Sequence, residues 1–423
     1  MAVAARSFRH PVSEILRPPP AGKDHLAPPL APYFGLLLFS PMPKLPRLPR
    51  RLLSTLRVLA LESSADDACA AIVTSRREIL SNVVCKQHDL NKRYGGIHPI
   101  KSQDAHARDM PGSIALALRQ AEMRIQDVDA IAYTRGPGMY GCLSVAAHSA
   151  RALAAAVDKP ILGIHHMQAH ALTPLLTETT PPHFPFLTLL VSGGHTLLVL
   201  VESLNSFKIL MTTLDNSIGD AFDKTARLLR LPHSPTLGLG PILETYASLP
   251  PLPPFDNLPL PPLRLPLSAN TSSKTLAFSF AGLLTAAERL LKSVHPNLEL
   301  VPDEAVQREL SRVFQQAAVG HVVKKIRDCL QGVHGVGTMG GLVVSGGVAC
   351  NLYLREQLET MLTELDSQRP MPLFYPPLDL CTGKSPSFAY YLREAHSDGH
   401  PGDSYDLPLR PKWSLEALYD DIS

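Results

Sequence analysis

The stretch "GIHHMQAHAL" (163–172) sets His166 and His170 four residues apart, with His165 beside them. Residues four apart share a helix face, so both imidazoles can reach one divalent ion, and imidazole suits zinc, iron or nickel. The plain alternative is two partly exposed histidines that happen to share that face. A hydrolytic zinc helix would read HExxH, its glutamate polarising the metal-bound water. Here Met167, Gln168 and Ala169 stand between the histidines. None of them is a general base, which argues against a peptidase.

Two further stretches share one device. "VSGGHT" (191–196) and "VSGGVACN" (344–351) each put Gly-Gly directly after an apolar run. Such a turn lets backbone N–H groups approach an anion with no Cβ in the way, although tight hairpins also favour glycine. Two of them, together with the acidic turn Ala65-Asp66-Asp67, resemble the phosphate loops of the actin, Hsp70 and sugar-kinase superfamily. Asn351 stands at a helix start, where it could cap the helix or hold a nucleotide's ribose or base. Neither a Walker A nor a Rossmann fingerprint is present.

The elements that must position these residues follow from periodicity. "RVLALESS" reads as a buried strand, "ACAAIV" and "EILSNVVCKQ" as two more, so the chain opens on a β-meander. A polar helix near 103–123, the strand "DAIAYTRGPG", a small-residue helix and the short strand "PILGIH" follow. The histidines come just after that last strand, and α/β sheets bind ligands at the carboxyl ends of their strands. Then the pattern recurs: "FPFLTLLVSGGHTLLVLVES" and "FKILMTTL" supply three strands. The helix "DAFDKTARLLRL", helices at 277–293 and 303–330, and "GLVVSGGVACN" complete the second round. Two meander-plus-helix halves predict an α/β, duplicated, bilobal actin-like fold with an interlobe cleft. The boundaries drawn are 57–180 for the N-terminal lobe and 181–415 for the C-terminal lobe. A proline-rich insertion occupies 249–267; its eight prolines in residues 250–266 exclude helix and central strand.

With 423 residues the chain can fill two cores. Hydrophobic residues make up 45%, charged residues 18%, and the net charge is +2. That describes a globular chain with no global pull toward nucleic acid. The six cysteines show no CxxC and read as reduced thiols. No apolar run approaches the roughly 20 residues a bilayer span needs, so no membrane is implied. Residues 1–56 differ from the rest. Up to Arg57 there are nine Lys or Arg against two acids, Glu14 and Asp24. An Arg-rich, acid-poor N-terminus before a clean strand resembles an organellar presequence, with a disordered basic tail as the alternative. Met42 stands as a second possible start.

Taken in order, "LALESSADD", "YGGIHP", "AYTRGPGMYGCLSV", "KPILGIHHMQAHAL", "LLVSGGHT", "GDAFDKTARLLRL", "FSFAGL", "LVVSGGVACN" and "YPPLDLCT" resemble the TsaD family of tRNA threonylcarbamoyladenosine transferases. With the presequence, the similarity points to the mitochondrial branch and the matrix. The resemblance implies an actin-like fold whose cleft holds threonylcarbamoyl-AMP and one divalent cation per subunit, with zinc, iron and magnesium all open. It implies transfer of the carbamoyl group to N6 of adenosine 37 in tRNAs that read codons beginning with A. A homodimer is implied as well. By motif, Leu190, Val191, Ser192, Gly193 and Gly194 would cradle the intermediate. Asp223, Gly240 and Asn351 would complete its site, with Asp66 a further contact. His166 and His170 would be two of the metal ligands.

The chain departs from the family pattern at three places. "ESSADD" lacks a cysteine but keeps Glu62, Asp66 and Asp67; the "PGGP" turn is Gly238-Leu239-Gly240-Pro241. Where the family has an Asp as third metal ligand, this chain has Cys381-Thr382-Gly383-Lys384. A non-catalytic member that keeps the fold as a binding or scaffolding protein is therefore the rival expectation. A small-molecule kinase of the same fold is a weaker one.

Overall fold

The apolar runs become two five-stranded sheets in the computed structural model. It describes residues 55–421 apart from 66, 95, 233, 235–236, 268–275, 333–338, 367–370 and 378–401. Asp66, the Cys381–Lys384 stretch and residues 1–54 of the expected presequence lie outside the described residues.

In the first sheet β1 (Arg57–Glu62), β2 (Asp67–Thr74) and β3 (Ile79–Lys86) form the meander, joined by β4 (Ala130–Gly136) and β5 (Ile161–His165). The order is β3-β2-β1-β4-β5, with β4 and β5 parallel to β1. The second sheet holds β6 (Phe186–Val191), β7 (Thr196–Val201), β8 (Phe207–Thr212), β9 (Leu342–Ser345) and β10 (Leu373–Phe374). Its order, β8-β7-β6-β9-β10, repeats the first strand for strand, again with two antiparallel and two parallel pairings. This is the duplicated α/β architecture that the periodicity predicts. The described residues form one compact unit that contains both sheets.

The helices are α1 (His88–Tyr94), α2 (Pro99–Gln120), α3 (Tyr140–Val157), α4 (His166–Thr177), α5 (Ile218–Leu228), α6 (Leu239–Ser248), α7 (Ala281–Val294), α8 (Glu304–Gly332) and α9 (Leu352–Leu365). The sequence reading misses α1 and α6. At α6 the Gly-Leu-Gly-Pro stretch suggested only a turn. Gly238 is in fact the N-cap, and Pro241 falls in the first turn, where a missing N–H costs nothing.

Three buried clusters hold the fold. One lies between the first sheet and α2 and α3, and one between the second sheet and α5–α9. The third is centred on α4, whose Met167, Leu172, Leu175 and Leu176 pack with strands of both sheets. All eleven residues from His166 to Leu176 are buried, which identifies α4 as a helix enclosed on every side. Each fully buried aliphatic side chain contributes about 1.5–3 kcal/mol, so α4 holds the two sheets together. The proline-rich insertion is irregular, as predicted, but sends Phe255 and Leu260 into the second core.

Residues 402–421 return to the first sheet. Asp403 N donates to Ile161 O, Asp403 Oδ2 accepts from Gly163 N at 2.6 Å, and Arg410 N donates to Arg135 O. No helix among the described residues is long and apolar enough to cross a membrane. Among the described residues, Cys69, Cys85, Cys142, Cys329 and Cys350 form no disulfide.

His321 on α8 is enclosed between the Phe278 and Phe280 rings, and its Nε2 accepts from Ser279 N at 3.2 Å. Burial foremost, then Lys325 nearby, pushes its pKa down to about 4, against the opposing pull of Asp215. The neutral ring is the native form, so this group's stabilisation is complete above the ordinary histidine value of about 6.5 and is lost as pH falls toward 4. The unfolding free energy should drop by roughly 3 kcal/mol across that window on this account. Denaturant midpoints at pH 7 and pH 4.5 should show a smaller drop in His321→Gln.

Candidate functional site

The histidine helix starts where β5 ends, and His165 makes the junction. Its Nδ1 accepts from Met167 N and Gln168 N, at 3.1 and 3.3 Å, capping α4. Its Nε2 lies 3.1 Å from the Trp413 carbonyl. A carbonyl can only accept and the two amides can only donate, so a single tautomer serves both sides. Burial pushes this imidazole down to about 3, which keeps it in that neutral form.

His166 and His170 then project from one face of α4, their ring centroids 5.1 Å apart. They are 4% and 2% exposed, which overturns the reading of partly exposed surface histidines. The Nδ1 of His166 lies 2.9 Å from Ser64 Oγ and 3.3 Å from Glu62 Oε2. Glu62 is fixed in turn, accepting from Ser64 N and from the Thr134 hydroxyl. The Nδ1 of His170 lies 3.4 Å from Ser345 Oγ, at the end of β9. Each ring is thus oriented through Nδ1, and Nε2 is the nitrogen each would offer to an ion, the arrangement metal-ligating histidines adopt. These two imidazoles fit a divalent cation as a partial donor set. Among the described residues no group of three His, Cys, Asp or Glu is arranged to hold a metal; the position that the family pattern assigns to the third ligand lies outside them.

Ser345 connects the histidines to the glycine turns. It pairs in parallel register with Leu190 of β6, which brings the ends of β6 and β9 side by side. Leu190 and Val191 are buried strand residues, whereas Gly193 and Gly194 are exposed. A side chain at either glycine would meet nothing within 4 Å. Internal packing therefore does not require these glycines, and close approach from outside remains the physical reason for them. Ser192 modifies the expected role of this turn: its Oγ accepts from Gly194 N and His195 N, so the serine hydroxyl already engages those two amides. In the second turn Gly346 adopts φ +103, and a side chain there would collide with Val191 O at 2.3 Å. Only glycine fits that position.

α5 extends the site. Ser217 caps it and donates through Oγ to Gly193 O at 2.6 Å. A Cβ on Gly219 would lie 2.6 Å from Ser192 O, so this glycine lets the helix press against the turn. One turn further along, Asp223 faces α6: its Oδ1 is 3.6 Å from where a Gly240 side chain would begin. From the same helix, Glu244 accepts from Leu352 N at 2.7 Å, and burial raises its carboxyl above the usual range. Asn351 is the N-cap of α9. Its Oδ1 accepts from Leu354 N at 2.8 Å, and its Nδ2 donates to Gln315 Oε1 at 3.0 Å. Of its two expected roles, the structure shows the capping one.

The described candidates His166, His170, Leu190 to Gly194, Asp223, Gly240 and Asn351 therefore lie on neighbouring elements that Ser345, Ser217 and Glu244 join. The sequence reading missed Ser64, Ser345, Gly219, Glu244 and the Trp413 segment, and noted Glu62 only as retained. The packing role of Gly219 is signalled by its place at the head of the "GDAFDK" run. Nothing in the sequence signalled Trp413.

A duplicated pair of five-stranded sheets, with glycine turns and a histidine helix where they meet, defines a two-lobed protein of the actin-like (ASKHA) class. The solved structure of HypF from T. kodakarensis has this fold, with a TM-score of 0.50 and 11% identity over 82% of this chain and 48% of that one. Sequence comparison is more specific. The family described as TsaD: tRNA N6-adenosine threonylcarbamoyltransferase matches residues 78–389. A tRNA N6-adenosine threonylcarbamoyltransferase of Bartonella henselae is 36% identical over 373 residues, covering 85% of this chain and 96% of its own. Its namesake in Brucella anthropi is 38% identical over 379 residues, with the same coverage. The chain belongs to the TsaD family, and it is a transferase.

Substitutions at two positions test these packing and capping roles. Asn351→Ala should cost about 1–2 kcal/mol of stability through the lost cap, and Asn351→Ser should restore most of it. Gly219→Ala should cost about 1–3 kcal/mol through overpacking against Ser192. Chemical denaturation measures both.

Proposed function

We propose that this chain transfers the threonylcarbamoyl group of threonylcarbamoyl-AMP to N6 of adenosine 37, in mitochondrial tRNAs that read codons beginning with adenine. The observation that carries the proposal is the register pairing of Leu190 with Ser345. It sets two glycine turns side by side and joins them, through Ser345 Oγ, to His170. The family match supports the chemistry.

In the proposed reaction the N6 amine attacks the carbamoyl carbon of the mixed anhydride. The new N–C bond forms as the bond from that carbon to the phosphate oxygen breaks, N6 gives up a proton, and AMP leaves with the electron pair. No protein nucleophile is needed, because the anhydride is already activated. Gly193, Gly194 and Gly347 leave room for the phosphate to approach the backbone, where fixed dipoles stabilise the charge developing on the leaving group. Asp223, Gly240 and Glu244 form a ledge suited to the adenosine part. Asn351 supports that ledge by anchoring α9, and Asp66 is a further proposed contact.

His166 and His170 would hold a divalent cation, which when bound supplies Lewis-acid polarisation. Glu62 and Ser64 orient His166, and Ser345 orients His170. The absent glutamate of "HMQAH" accords with a reaction that has no water to activate. Import into the mitochondrial matrix by the basic N-terminal segment, and assembly as a homodimer, complete the proposal.

The purified chain incubated with threonylcarbamoyl-AMP and mitochondrial tRNA should form threonylcarbamoyladenosine, detected by nucleoside mass spectrometry. No product, with the adenylate still bound, would instead favour the non-catalytic reading that Gly383 and Lys384 suggest. A lysine held roughly 6 Å from a dication costs about 5 kcal/mol at an effective dielectric near 20 before it swings away. Gly383→Asp with Lys384→Asn should therefore raise metal occupancy, measured by elemental analysis, and His166→Ala should abolish the gain.

A further inference from the structure

The proline-rich insertion takes no part in the site, yet its exposure follows a pattern of its own. In Leu258-Pro259-Leu260-Pro261-Pro262-Leu263-Arg264 a bend at Leu258 leads into irregular backbone, whose composition favours polyproline II geometry. Proline fixes φ near −65° at three of these positions. The residue before each proline is pushed into the same extended region, which covers Leu258, Leu260 and Pro261. Such a helix has three residues per turn, so positions 260 and 263 share one edge while 258 and 261, and 259 and 262, share the other two.

The protein uses these edges differently. Leu260 is 9% exposed and belongs to the second core, and Leu263 packs against that core. Leu260 N donates to Glu309 Oε1 at 3.2 Å, pinning the same edge to α8. Pro259, Pro261, Pro262 and Arg264 are exposed. Leu258 is 75% exposed, more than any other large apolar side chain among the described residues. If the insertion served only to cover the core, its most accessible leucine would not stand outward between prolines.

We propose that residues 258–264 are a preformed docking strip for a polyproline-reading domain of the SH3 type. Such a domain presents a groove of aromatic side chains that receives apolar-proline dipeptides. Here the two dipeptides are Leu258-Pro259 and Pro261-Pro262, both outward. The spacer leucines 260 and 263, which such a groove does not need, are the ones that anchor the strip to its own protein. Arg264, two residues past the second dipeptide, gives the strip a polarity: a partner groove with an acidic pocket at one end takes it in one direction only. Because the strip is already ordered on α8, binding avoids the entropy of fixing a flexible peptide. This inference is independent of the transferase reading, since none of its residues belongs to that site.

The test uses the whole protein and an isolated, isotope-labelled SH3 domain selected for Pro-x-x-Pro-x-Arg ligands. Adding the protein should give saturable shifts at the domain's aromatic groove. Pro259→Ala with Pro262→Ala should weaken binding at least about tenfold, as loss of central anchors does, and Leu258→Asp should do the same with an unchanged thermal midpoint. Arg264→Ala should weaken binding to the same domain less. Catalytic activity should be untouched in all of them. The proposal is overturned if the intact protein gives no groove shifts while a peptide of residues 256–266 does, because the strip would then be inaccessible. Equal binding by wild type and variants, or no binding by protein or peptide, also overturns it. Binding to a WW domain but not to the SH3 domain would assign the strip to a different partner and likewise reject this one.

Discussion

A guanidinium with no solvent exposure sits at the end of β4, and the arrangement around the histidine helix depends on how its charge is met. Arg135 is 0% exposed. It donates through both terminal nitrogens to Asp421 and through Nε to Pro408 O, and it lies 5.0 Å over the Trp413 ring. Leaving such a charge without its partner costs about 3–5 kcal/mol, so residues 408–421 are obligatory structure. They in turn fix the Trp413 carbonyl that selects the tautomer of His165, and with it the cap of α4. Tyr419 adds a second hold through Gln168 Oε1 at 2.8 Å. The same segment reaches the other sheet, where Glu416 accepts from Ile209 N on β8. One buried charge therefore ties the two sheets and the histidine helix into a single mechanical unit.

Much of this fold was legible because its halves repeat a simple grammar. Strands β1, β2, β4, β5, β6 and β9 are buried on both faces, and their continuous apolar runs mark them. The glycine turns and the histidine spacing were legible too, since both depend on neighbours in sequence. What escaped were contacts made across the chain. Ser345 orients His170 over a separation of 175 residues, and Ser64 orients His166 over 102. A serine has no local pattern that announces such a partner. Helix α6 escaped for the opposite reason: glycine and proline in its first turn read as a loop, although both are tolerated there.

The glycines of the site divide into two kinds, and the division carries more than their number. Gly219 and Gly346 are dictated from inside, by backbone that presses against them from Ser192 and Val191. Gly193, Gly194 and Gly347 face open space. The first kind builds the shape of the site, and the second leaves it approachable. Ser192 adds that an amide in a glycine turn is not automatically a ligand donor, because a nearby hydroxyl can claim it first.

The strap that meets Arg135 has one more consequence, which concerns the order in which the chain is made. Arg135 and Asp421 are 286 residues apart, so the first sheet leaves the ribosome long before the segment that neutralises its buried charge. Until then β4 carries an unmet guanidinium and α4 lacks the carbonyl that orders its cap. Domains made first ordinarily fold first, and contacts this distant in sequence are slow to close. The amino-terminal half of this protein must therefore wait, partly assembled, for the last stretch to arrive, and during that interval a chaperone has the most to protect.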